Sequence, residues 1–102
     1  MKIIANQDLV LSDIPAPDAD LADIFAFAMT FNGYKEYGSF AGCSSVALSD
    51  DVSTLSALRA RLFFHQRTAH HMSAWTSYEE HKGALSALIE AIRVKVVADE
   101  IE

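Results

Sequence analysis

Few side chains in this 102-residue chain are equipped for chemistry: four histidines, one cysteine and three arginines within nine residues. The histidines, His65, His70, His71 and His81, are the metal candidates. Zinc on a helix takes ligands at i and i+4, or a Cys-x2-Cys pair, because these spacings bring two donors to one ion. Neither spacing is present. His65 and His70 are five residues apart, about 140° round a helix. A site would need His65, one of His70 and His71, and His81 to meet across a helical hairpin, with Glu80 as a further donor. The ordinary reading is a core-facing His81 ring with one hydrogen bond, and His70 and His71 in a polar connection. Neither a metal nor another cofactor is expected.

Cys43, in Ala41-Gly42-Cys43-Ser44-Ser45, has the chemistry of a nucleophile, but nothing nearby in the chain supplies a base and an orienting group. A lone cysteine of this kind reads as a small buried hydrophobe. Gly38-x3-Gly42 is not a phosphate loop, since that loop needs a longer spacing and a following lysine. The acid pairs have local explanations: Glu79 and Glu80 in a helix cap, Asp20 and Asp23 near a helix start. No catalytic acid–base pair emerges. Arg59, Arg61 and Arg67, with the nearby aromatics, suit an acidic partner or RNA, but three Arg on one helix are more often a solvated face or internal ion pairs.

Bulk properties narrow the classes further. The net charge is −6, and it is lopsided. Residues 1–51 hold eight acids and two bases, whereas residues 52–102 hold six of each. Phosphate contacts need clustered Lys and Arg, so nucleic acid is an unsuitable partner. An acidic half suits a basic protein surface, or solubility alone. A hydrophobic content of 51% excludes a disordered chain. The single cysteine excludes an internal disulfide, and the N-terminal apolar run is too short for a secretion signal. No run approaches the length of a membrane span. These features point to a cytoplasmic protein.

The elements that must position these residues are helical. From Ser77 to Val97, Tyr78, His81, Leu85, Leu88, Ile89, Ile92 and Val96 recur at steps of three and four, which puts one buried face on an amphipathic helix. Ser77-Tyr78-Glu79-Glu80 has the pattern of a capping box. An earlier helix is expected over 51–67, capped by Ser49 or Asp50, with Val52, Leu55, Leu58, Leu62 and Ala69 inward. There Phe64 lies about 200° round from Leu62 and so faces a second layer or solvent. A first helix is expected over 18–32, capped by Asp18 and stopped by Gly33, with Leu21, Ile24, Phe25, Ala28 and Phe31 inward. Phe27 falls off that stripe, so the helix is covered on two sides or exposes the ring.

Residues 1–17 read as an extended arm or short strands, with Pro15 and Pro17 holding the chain open. Residues 33–50 read as irregular, with Tyr34, Tyr37 and Phe40 pinning them to the core or forming a recognition surface. Residues 70–76 read as the hairpin connection, closed by Trp75, and 98–102 as a frayed tail. The expected fold is one all-α domain of three main helices. The last two form an antiparallel hairpin that the first crosses.

Two stretches carry a resemblance. Asp13-Ile14-Pro15-Ala16-Pro17-Asp18 leads through Phe25 to Thr30-Phe31-Asn32-Gly33-Tyr34. Leu58-Arg59-Ala60-Arg61-Leu62-Phe63-Phe64-His65-Gln66-Arg67 is followed by Ile89-Glu90-Ala91-Ile92-Arg93. Together, over about half the chain, they resemble a group of short bacterial helical proteins with an LFF-x-Q-R core. The group implies a bacterial, helical, cytoplasmic protein and carries no activity.

The functional expectation is therefore a small, acidic, non-catalytic protein that binds another protein, as a regulator or inhibitor, or binds a second copy of itself. Its contact residues are expected among Phe27, Arg59, Phe64, Arg67 and Trp75, with Val94 as a further outward apolar residue. The alternative is a metal protein or small enzyme built on the histidines.

Overall fold

The arm comes first. In the computed structural model, which describes the backbone of residues 3–49, 53–72 and 75–101 and the side-chain surroundings of 3–49, 53–67 and 82–99, it folds into two 3-10 turns. These span Asn6–Asp8 and Leu11–Asp13, so the arm is not a pair of strands. No strand occurs among the described residues, and the fold is all-α. Leu9 and Ile14 turn inward from the arm into the main core. Its backbone is satisfied from outside: the Ser86 hydroxyl donates to the Pro17 carbonyl at 2.7 Å, and Arg93 donates to the Ile14 carbonyl at 3.2 Å. Buried carbonyls need such partners, and two prolines here offer no N–H of their own.

Helix α1 spans Leu21–Ala28, shorter at both ends than the expected 18–32. At the front, a turn in which Ala19 N–H bonds the Ala16 carbonyl occupies the residues read as the first helical turn. Asp20, rather than Asp18, stands at the N-cap position. At the back, the Thr30 hydroxyl and amide both bond the Phe27 carbonyl, at 2.6 and 3.0 Å. The Thr30 carbonyl is then taken by the amide of Ile4 in the arm, at 2.8 Å. The helix stops because its last carbonyls find these partners. Gly33 is not a left-handed stop.

Residues 33–50, expected to be irregular, contain two helices. Helix α2 is the single turn Gly33–Glu36, with the Asn32 side chain accepting from Lys35 N at 3.1 Å. Gly33 is needed because a Cβ there would run into Cys43 Sγ. Gly38 takes the left-handed conformation, φ +79°, that redirects the chain. Helix α3, Phe40–Leu48, starts at Ser39, whose hydroxyl accepts from Gly42 N at 3.0 Å. Its buried row is only Cys43 and Ala47, with Val46 half-covered, too narrow a stripe to announce itself.

Helix α4, Leu55–Met72, begins four residues later than expected. Thr54 caps it, its hydroxyl accepting from Ala57 N at 3.1 Å. Helix α5 runs from Trp75 to Ile101. It therefore starts inside the stretch read as a connection, with Ser77 already helical, and it continues through the residues read as a tail. The readings that fall on Asp50, Asp51, Val52, Ala69 and Tyr78, and those on the side chains of Trp75, Ser77, Glu80, His70, His71 and His81, lie outside the described residues or side chains. Helices of 18 and 27 residues are about 27 and 40 Å long. End to end they would far exceed the longest dimension, 41 Å, so α5 folds back along α4 as the expected hairpin.

The core forms where Leu55, Leu58 and Leu62 of α4 meet Leu85, Leu88, Ile89, Ile92 and Val96 of α5, with Ile24, Phe27 and Ala28 of α1. A second cluster holds α3 against α4 through Cys43, Phe31 and Ala60, with Tyr34, Tyr37, Val46 and Phe63 around them. Ala57 and Ala60 are fully covered, which lets neighbours close on α4. The central rod is thus α4, enclosed on several sides, and not α5. A polar tie adds to it: Tyr37 Oη and Ser56 Oγ are 2.7 Å apart, and Ser56 donates to Glu36 at 3.2 Å.

Candidate functional site

Arg59 leaves α4 toward the arm and is only 2% exposed. Its Nη1 donates to Asn6 Oδ1 at 2.6 Å, and its Nη2 to the hydroxyl and carbonyl of Thr30 at 3.2 and 3.4 Å. The guanidinium lies over the Phe31 ring at 4.9 Å and near the Phe27 ring at 5.9 Å. A buried cation needs donors satisfied and charge delocalised, and here neutral oxygens and two ring faces do this. Burial pulls the guanidinium down to about 10, with the Glu36 carboxylate opposing the shift. It stays protonated at neutral pH. Arg59 thus clamps the arm to the end of α1, and it is not an outward contact. Above it, Ile3, Asn6, Phe31, Asn32, Lys35 and Glu36 line a cleft of about 540 Å³.

Phe27 is likewise inside, 5% exposed, because the arm residues Leu9 and Ile14 belong to the same cluster. The helix is covered on two sides, and Phe27 is not left over on an outer face. Phe64 is half-buried. Val94 does lie outside, as expected.

Arg67 belongs to a different arrangement. Its guanidinium stands 5.6 Å over the Tyr34 ring, and its Nε is buried with no hydrogen-bond partner among the described residues. Tyr34 packs edge-on against Phe63 and against Phe40, both at 5.5 Å between ring centres, and Phe63 packs edge-on against Phe31 at 6.4 Å. Tyr34 and Phe63 are half-covered, while Phe40 is 57% exposed. Next to this cluster a groove of about 430 Å³ runs between α1 and α4, lined by Phe25, Ala26, Met29, Phe63, Gln66 and Arg67. Tyr34 and Tyr37 hold the segment down, as the pinning reading expects, and Phe40 is left facing out. Met29 carries no signal in the sequence, and Gln66 reads only as a polar residue near the apolar stripe of its helix. For Phe63 the hint is the run Leu62-Phe63-Phe64, too many large residues for one face.

For bond-making chemistry the arrangement offers little. Cys43 is 2% exposed, and burial pushes its thiol above the ordinary range, which disfavours the thiolate a nucleophile needs. Among the described residues no three His, Cys, Asp or Glu side chains gather as a metal site. His65 is half-buried on α4, and the backbone puts His70 and His71 in the last turn of α4 and His81 in α5. No described helix is long and apolar enough to cross a membrane.

Comparison with family models, with curated proteins and with solved structures gives no match. Fold and surface alone define what this is: an all-helical domain with a buried arginine clamp and an aromatic face beside an apolar groove.

Proposed function

We propose that this protein acts without catalysis, by binding another protein as a regulator or inhibitor, and that the partner sits on the face made by Met29, Tyr34, Phe40, Phe63 and Arg67. The observation that carries this is Phe40: a large ring 57% exposed yet fixed by its contact with Tyr34. Aromatic, Met and Arg side chains are enriched where protein contacts concentrate their energy, and a pre-positioned ring loses little entropy on docking. The acidic N-terminal half favours a partner with a basic rim. The resemblance of the LFF-x-Q-R stretch and the single buried cysteine support a bacterial cytoplasm as its setting.

The test compares wild type with Phe40→Ser and Arg67→Ala as bait in a bacterial lysate, after urea unfolding has established that the Phe40 variant is as stable as wild type. A protein retained by wild type and lost from both variants is the expected result. Identical captures by all three baits would refute the reading.

A further inference from the structure

In the groove between α1 and α4, two neighbouring polar side chains stand without partners. Gln66 is only 7% exposed and makes no hydrogen bond among the described residues. The Nε of Arg67 is buried and unbonded, and no carboxylate among the described residues pairs with its guanidinium. Buried amides and guanidinium groups ordinarily carry partners, so two left open at one place point to a missing acceptor. Both line the groove of about 430 Å³, and the rest of its lining is apolar. Phe25, Ala26 and Met29 stand on the α1 side and Phe63 on the α4 side.

Tyr34 sets the posture of Arg67. Its ring covers one face of the guanidinium at 5.6 Å. The N–H donors of that group point outward in its plane, so the ring holds the cation without using them. The Gln66 amide adds two donors of its own. A fork of parallel N–H groups with an amide beside it is the complement of a carboxylate. No acidic side chain lines the groove. The net charge of −6 lies elsewhere, and salt at about 0.1 M screens it beyond about 10 Å.

The walls decide what carries the carboxylate. Phenyl, thioether and methyl groups ask for a hydrocarbon body, and the volume lies at the small end of the range of about 300–1,000 Å³ for ligand pockets. The C-terminus of another chain would bring its last peptide N–H and C=O groups against these walls, where they would find no partner. A free acid has no such groups. We propose that this groove binds a small monocarboxylic acid, its carboxylate held by Arg67 and Gln66 and its hydrocarbon part lying between Ala26, Met29 and Phe63. The site goes beyond the protein-binding face and does not depend on it, although Met29, Phe63 and Arg67 belong to both.

Isothermal titration of the full chain with octanoate, and with octanamide as its uncharged counterpart, tests it. Octanoate should bind with a Kd of about 0.1–1 mM, and octanamide at least about tenfold more weakly. Arg67→Met should weaken octanoate by at least about tenfold and remove the preference for the acid. Ala26→Trp, at an exposed position of α1, should fill the groove and abolish binding of both, with helicity by circular dichroism unchanged. No saturable octanoate binding up to about 10 mM, equal affinity for acid and amide, or binding undiminished by Arg67→Met or Ala26→Trp would overturn the proposal. A short peptide with a C-terminal leucine that binds more tightly than octanoate would overturn it too, in favour of a chain terminus. Phe40→Ser leaves the groove lining intact and should bind octanoate as wild type does, so the acid and the captured partner are scored apart.

Discussion

Replacing Arg59 by methionine keeps an apolar stem and removes the fork that holds the arm. The change deletes one short bond to Asn6 and two longer ones to Thr30, at 2.6, 3.2 and 3.4 Å, and two contacts with ring faces. Bonds to a charged donor contribute about 1.5–3 kcal/mol each, and contacts with ring faces about 0.5–2 kcal/mol. Relief from desolvation works the other way, and a guanidinium drawn down to about 10 by burial shows that this relief is substantial. Asn6 Oδ1 would be left without its donor, at about 1–3 kcal/mol if it stays covered, whereas the Thr30 carbonyl keeps the Ile4 amide. The balance is a loss of about 2–4 kcal/mol, a large part of the stability of a domain this size. With a urea slope of about 1.5 kcal/mol per molar, the unfolding midpoint should fall by roughly 2 M.

Two further variants separate charge from geometry. Arg59→Lys keeps the cation but cannot span Asn6 and Thr30 at once, so it should lose most of the same stability. A double-mutant cycle between Arg59→Met and Asn6→Ala should give a coupling of about 1–2 kcal/mol. Faster hydrogen exchange at the Ile4 amide, which bonds the Thr30 carbonyl, would show the arm lifting locally. If Arg59→Met unfolds within about 0.5 kcal/mol of wild type and shows no coupling to Asn6, the clamp is wrong. The arginine would then be free to serve a partner.

The other expectations are narrower. Gly33→Ala should cost about 1–3 kcal/mol, because its Cβ would meet Cys43 Sγ, and Cys43→Ala in the same chain should recover much of that loss in thermal unfolding. Burial raises the Cys43 thiol, so the folded chain keeps a proton that the unfolded chain gives up. This stability is complete below the ordinary thiol value and lost as pH rises through the raised one, so the wild-type curve should fall more steeply in alkali than that of Cys43→Ala in urea unfolding across about pH 7–11. Gly38→Ala meets no neighbour but must hold a left-handed φ, so it should lose about 1 kcal/mol by backbone strain alone in the same assay. For protein purified without a histidine tag, a chelator should leave the melting temperature unchanged; a fall would revive a metal site at His65, His70, His71 and His81.

The parts of the fold legible in the sequence are those whose cause is local and repeated. The inner row of α5 is made of large aliphatic residues at strict spacing, and the hairpin follows from two such helices with little chain between them. The parts that were missed have distant causes. α1 stops at Ala28 because Thr30 is engaged by Ile4 and Arg59. Arg59 looks like a surface arginine until Asn6, 53 residues earlier, is placed beside it. Phe27 falls off its stripe because the arm makes a second inside. α3 reads as loop in the sequence because its helix depends on one serine cap and two small buried residues, Cys43 and Ala47, a signal that residue types alone do not amplify.

Exposure by itself argues for nothing in a chain of this size. A domain of 102 residues with 51% hydrophobic content has more apolar surface than its interior can take. Leu48 is 72% exposed at the last residue of α3 and Ile3 is 50% exposed on the arm, with no pattern linking them. Phe40 and Val94 are exposed to a similar degree but differ in arrangement. Phe40 is held by Tyr34, which is itself held by Phe63, whereas Val94 stands in a row made otherwise of alanines. Solubility asks only that apolar residues be few and scattered, whereas docking asks that they be fixed and in sequence with their charges. By that measure the aromatic face has the arrangement that docking asks for, and Leu48 and Ile3 are what is left when a small core is full.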